Sequence, residues 1–273
     1  MEIHKPKPFH NWREFLKEYA IIVLGVVTAL AAEQIVEGLH WREQVREARH
    51  AIATELAGDV AGAITRLRIE NCAERRLDSL AAILDGAAKG GNLPPVGDTG
   101  VPPRRLFTRG AWDSVVASQT AAHFPAGQLA ELSLTYNTVE RIALFAGQET
   151  AAWDDLYAMV GPGRRLDPAS EAALRQALSH ARASNRYMAS LSATLVARVK
   201  NHALAFSPTD LAMISAAAHE SLTGPNSAGR DVNPPSIICG PLGAVPASYG
   251  QAQESAIPAR VEEIVKALPQ FGP

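Results

Sequence analysis

The chain has 273 residues, 47% of them hydrophobic, which is enough to build a sizeable core in one large domain or two small ones. Its 26 basic and 28 acidic residues leave a net charge of −2, without the basic excess of a nucleic-acid binder, so no nucleic-acid partner is expected. Aromatic residues make up only 6% and alanine is abundant, a balance that favours helices over sheets.

The first predicted element is the segment "KEYAIIVLGVVTALAAEQIVEGLHW", residues 17–41. Its uncharged stretch, residues 20–32, is short against the about 20 apolar residues that a bilayer core requires. The flanks lengthen it. Phe15, Leu16, Ile35, Val36 and Leu39 continue the apolar character, and Lys17 is placed to snorkel to the headgroups. Trp12 and Tyr19 mark one end and Trp41 the other, the residue types of an interfacial belt. From Trp12 to Trp41 a helix rises roughly 43 Å at about 1.5 Å per residue, close to a bilayer with its headgroups. The segment therefore predicts a membrane anchor over 19–41, preceded by a juxtamembrane stretch, 1–18.

Two other readings compete with the anchor: a buried helix of a soluble protein, and a cleaved signal peptide ending in Ala29-Leu30-Ala31. Against cleavage, Glu14 and Glu18 place acid ahead of the apolar run, and helical patterning passes straight through the supposed cut. Within the anchor, Gly25 and Ala29 form a small-xxx-small pair that lets two helices approach, which points to homo-oligomers. Glu33 and Glu37 share a face at i, i+4. They read either as hydrated groups at the outer interface or as functional polar groups within the membrane. Lys5, Lys7, Arg13 and Lys17 before the anchor, against Arg42, Arg46 and Arg49 after it, lean towards a cytoplasmic N-terminus with the bulk of the chain in the periplasm.

The stretch "FLKEYAIIVLGVVTALAAEQIVEGLHWREQVREA" resembles the anchors of uncharacterised bacterial single-pass membrane proteins, in which an "IVLGVxxALxxE" helix leads into a helical domain. The later "AWDSVVASQTAAHFP…LAELSLTYNTVE", with its Trp and Tyr136, is similar to a segment of the same group. The resemblance implies an inner-membrane topology and supplies no catalytic residue.

Beyond the anchor, Val45, Ala48, Ile52, Leu56, Val60, Ile64 and Leu67 recur at steps of three and four, followed by Leu77, Leu80, Ile83 and Leu84. That stripe predicts one long helix over 42–88, with a kink near Gly58 or Gly62 as an option. "KGGNLPPVGDTGVPP" then breaks it. A helical bundle is expected over 89–221. It contains a short helix at Trp112, a longer one from Gln128 with Leu129, Leu132, Tyr136, Val139, Ile142 and Phe145 inward, and a stop at "GPG". Asp167-Pro168 opens another helix with Leu174, Leu178, Ala181, Met188, Leu195 and Val199 as its stripe, and Ser207-Pro208-Thr209-Asp210 opens the next. Residues 222–273 read as an irregular segment and a last helix over 259–268. No strand or hairpin is predicted.

Chemical motifs are sparse. Glu37/His40 and Glu47/His50 each spell E-x-x-H, but both lie on one helix and cannot converge on a shared metal. No metal or cofactor is expected. "GPGRRL" has the glycines and arginines of a phosphate loop, yet Pro162 removes a needed amide, so it reads as a loop. Cys239 reads as a small buried thiol, or as the disulfide partner of Cys72 if the domain is periplasmic. With no nucleophile motif or Walker loop, the sequence points away from an enzyme.

The expected fold is all-α, with an N-terminal transmembrane helix continuing into a long helix that packs in an extramembrane bundle. The expected role is binding or scaffolding at the lipid bilayer with an unidentified protein partner. A periplasmic ligand-sensing module and an enzyme with a pocket between helices stand as alternatives.

Overall fold

A computed structural model describes residues 12–201, 204–222 and 235–243. The predicted helix over 259–268, the stretch 1–11 and most of the irregular segment after residue 222 lie outside the described residues.

The apolar stripe does form a single helix. α1, Trp12–Gly90, runs 79 residues and is hydrogen-bonded through both Gly58 and Gly62. It ends where Gly91 adopts a left-handed conformation at φ 74° and donates its amide to the Ala87 carbonyl, a backbone state that glycine adopts at little cost. The chain then turns back along α1. It passes Thr99 beside Arg76, Thr108 beside Asp59 and Ala111 beside Glu55, and reaches His123 beside Trp41. This returning strap carries α2, Gly110–Ala117, and a short 3-10 turn, Thr120–His123.

Because the strap carries the chain back to the lower end, α3, Ala126–Leu156, climbs parallel to α1. Tyr136 meets Glu55, and Glu149 meets Arg66. α4, Pro168–Lys200, descends antiparallel, with Arg175 paired to Asp85 at 2.8 Å and Arg182 to Asp78 at 2.6 Å. Such exposed pairs help register more than stability. Asp167 caps α4 by accepting the Ala169 and Ser170 amides, and Ser207 with Asp210 forms the capping box of α5, Pro208–His219. Arg68 of α1 donates to the Ala217 carbonyl at 2.9 Å, satisfying an otherwise open group in the last turn of α5.

Strands enter where none is predicted. β1, Asn92–Leu93, pairs antiparallel with β2, Arg164–Arg165, and Val96 bridges Gly161. The "GPGRRL" loop is thus one side of a minimal ribbon that ties the top of α1 to the α3–α4 connection. Its two-residue strands are too short for an alternating pattern to announce them.

The core is divided in two. The lower cluster joins residues 45–67 of α1 to Trp112, Phe124, Tyr136 and Leu195, among others, and includes Ile214 of α5. The upper cluster joins Ile69, Leu77, Leu80 and Leu84 to Trp153, Leu156, Leu174 and Leu178. A layer of buried polar side chains, Arg66, Glu149 and Asn185, lies between them. α6, Pro235–Cys239, packs on α1 beside the upper cluster, where Cys239 is disulfide-bonded to Cys72.

Candidate functional site

Three features of the fold could carry function: the free end of α1, the foot of the bundle and the polar waist. Along residues 12–40 of α1 every described side chain is exposed, and the first buried one is Val45. The 18-residue window that makes α1 long and apolar enough to cross a membrane has none of its residues buried. Ile21, Leu24, Val27 and Leu30 are all more than half exposed. Trp12, Phe15 and Tyr19 stack in succession, with centroids 5.6 and 6.2 Å apart. Thr28 returns its hydroxyl to the Leu24 and Gly25 carbonyls, so its polar group is satisfied within the helix. A Cβ added at Gly25 meets nothing within 4 Å, and Ala29 is exposed, so this face is open. Glu33 and Glu37 are exposed as well, and Glu37 accepts a long hydrogen bond, 3.4 Å, from the Trp41 indole. His40, Glu47 and His50 are exposed and scattered.

The foot of the bundle is aromatic and basic. Trp41 stacks on His123 at 3.8 Å between centroids, Arg49 lies over the Phe124 ring at 5.6 Å, and it donates to Gln128 at 2.8 Å. Immediately above, Glu55 does the work of a cap from a neighbouring helix. It accepts the Ala111 amide at 2.9 Å, the Trp112 amide at 3.4 Å and the Tyr136 hydroxyl at 2.8 Å. The residue at α2's own cap position, Arg109, makes no such side-chain bond. Burial, reinforced by the Glu55 carboxylate, pushes the Tyr136 phenol far above its ordinary range. Glu55→Ala is expected to destabilise the protein by about 2 kcal/mol, through the lost cap and the orphaned phenol. Urea unfolding of the Ala and Gln variants checks it, with Gln retaining most of the loss.

One turn on, Asp59 accepts the Thr108 amide at 3.0 Å through Oδ1, while Oδ2 is buried without a partner among the described residues. Burial raises its pKa from 3.8 to about 7; the Thr108 bond opposes this and Glu55 adds to it. The folded state therefore holds a proton that the unfolded chain releases. Stability conferred by that proton is complete at acid pH and is lost as pH rises towards 7. The loss is expected to be about 2 kcal/mol between about pH 5 and 7, and Asp59→Asn, which keeps an acceptor for Thr108, should flatten it. Melting temperature against pH checks both.

At the waist, Arg66 Nη2 donates to Glu149 Oε1 at 2.6 Å and to Asn185 Oδ1 at 2.7 Å. Asn185 in turn donates to Glu74 at 3.1 Å. Burial raises the pKa of Glu149, with Arg66 opposing. Arg66 Nε and Nη1, and the Trp153 indole nitrogen, are buried and have no partner among the described residues. Beside them, between α1, α3 and the strap, a cavity of about 300 Å³ opens. No protein family, curated protein or solved structure matches the chain.

The sequence reading singled out Cys72 and Cys239, whose sulfurs are joined, so neither is a free nucleophile. It missed Arg66, Glu149 and Trp153. A signal was present: Glu149 falls on the inward stripe of α3 between Phe145 and Trp153, a charged residue where the pattern calls for an apolar one.

Proposed function

We propose that the chain is a single-pass, membrane-anchored helical protein that acts by binding or scaffolding at the bilayer surface. One observation carries the reading: residues 12–40 of α1 present exposed apolar side chains on every face, while the continuation of the same helix is packed into a bundle. In water such a patch far exceeds what a soluble monomer leaves uncovered, and a bilayer removes that cost. Trp12, Tyr19 and Trp41 then stand at the two headgroup levels, and Glu33 and Glu37 at the hydrated outer one. The open Gly25–Ala29 face supports self-association of the anchors.

The disulfide fits a compartment in which such bonds persist, which for a bacterial inner-membrane protein is the periplasm. The basic residues flanking the anchor lean the same way.

Extraction of membranes at alkaline pH tests the anchor. The full chain is expected to stay with the lipid. Leu24→Asp/Val27→Asp should release it with unchanged helical content, because each charge at the bilayer centre costs about 3 kcal/mol on insertion scales. Recovery of the wild-type chain in the extract, or a mature N-terminus near Ala32, would contradict the reading.

A further inference from the structure

We propose that the waist cavity is a binding site for a small organic carboxylate with an apolar body. The proposal rests on the binding half of the reading above and is independent of the anchor.

The cavity's walls are apolar, formed by Ile69 of α1, Ala143 and Ala146 of α3, and Val101, Leu106 and Phe107 of the strap. Its volume, about 300 Å³, is at the lower end of small-molecule sites. Three donors without partners among the described residues are gathered in the lining: Nε and Nη1 of Arg66 and Nε1 of Trp153. Arg66 is 4% exposed and Trp153 is 0% exposed. Buried donors left unpaired are destabilising, so their grouping at an apolar cavity calls for a ligand rich in acceptors.

Charge narrows the class. Among the described acidic residues only Glu149 lines the cavity, and its Oε1 is already engaged by Arg66 Nη2. The other charged lining residues are Arg104 and Arg105, paired with Asp154 and Glu220. The lining therefore carries three arginines against one glutamate, and it offers N–H donors. A carboxylate supplies two strong acceptors with the complementary charge.

The site lies where binding has a structural consequence. The strap that forms one wall also holds α2 and the foot of the bundle, and it rests so closely on Gly62 that a Cβ there would come within 3.3 Å of Arg105 Cβ. A ligand seated under residues 101–107 would add contacts between strap and bundle.

The test uses the full chain in nanodiscs and fluorine NMR of 4-fluorobenzoate, with hexanoate as competitor and 4-fluorobenzamide as the neutral control. Saturable binding of the benzoate, displacement by hexanoate and about tenfold or weaker binding of the amide are expected. Gly147→Phe should abolish binding without unfolding the protein, since Gly147 lines the cavity and an added Cβ meets nothing within 4 Å. Arg66→Met should abolish it too, and Gly147→Phe decides the matter if that variant fails to fold. Absence of saturable binding, equal binding of the amide, or benzoate binding that survives Gly147→Phe would overturn the proposal. Alkaline extraction of the same preparation reports on the anchor separately, so either reading can fail without the other.

Discussion

Glu149→Ala is expected to destabilise the bundle by about 3–5 kcal/mol, because it leaves the Arg66 guanidinium buried without its carboxylate. Both side chains are almost fully buried, at 5% and 8% exposure, and their bond is 2.6 Å. Asn185 alone cannot neutralise the charge, and Arg66 Nε and Nη1 already have no partner among the described residues. For a chain of this size the loss corresponds to a fall in melting temperature of roughly 10 °C. Removing both charges is a different experiment. Arg66→Leu/Glu149→Leu should recover most of the loss, since an apolar pair of adequate volume avoids the desolvation that the ion pair only partly offsets. A double-mutant cycle by urea unfolding measures the coupling. A double variant as unstable as Glu149→Ala would show that the layer matters through shape and not through charge.

Opening the disulfide should have an effect of similar size, localised where α6 and the strap meet α1. The bond spans 167 residues, and on the chain-entropy account a loop of that length contributes up to about 5 kcal/mol. Neighbouring contacts hold the same segment. Arg76 donates to the carbonyls of Thr99 at 2.6 Å, Gly240 at 2.7 Å and Ile237 at 3.2 Å. Gly97 and Gly243 touch backbone to backbone, so closely that a Cβ on Gly97 would fall 2.6 Å from Gly243 Cα. Cys72→Ser/Cys239→Ser is therefore expected to lower stability by about 3 kcal/mol, less than the full entropic figure because these contacts persist in the folded state. Hydrogen exchange should rise first around residues 97–100 and 235–243 and leave Ile52 and Leu56 protected. Uniform loss of protection would instead mean that the bond supports the whole bundle.

Much of this architecture is readable from residue order. The stripe from Val45 to Leu84 gives α1 its packed face, and Asp167-Pro168 and Ser207-Pro208-Thr209-Asp210 announce two helix starts through capping chemistry that acts within four residues. The strap is a different matter. Nothing in "KGGNLPPVGDTGVPP" says that the chain will return along α1, because its partners Arg76, Asp59 and Glu55 lie 23 to 56 residues away and look like solvent-facing charges on a helix. The ribbon between residues 92–93 and 164–165 is equally non-local. The waist is hidden for a related reason. Arg66 and Asn185 sit in polar surroundings in the sequence, and only the packing of α1, α3 and α4 brings them to one layer with Glu149.

The central claim is that one continuous helix lies in lipid over its first third and in protein over the rest. Single cysteines at Leu24 and Leu106, introduced beside the native disulfide, test this directly. Membranes are resealed in the presence of an impermeant maleimide so that both faces meet the reagent. Leu106, 89% exposed on the strap, should be labelled at once as cysteine, whereas cysteine at Leu24, itself 65% exposed in the isolated chain, should react only after detergent is added. Equal labelling of the two positions in intact membranes would contradict the account.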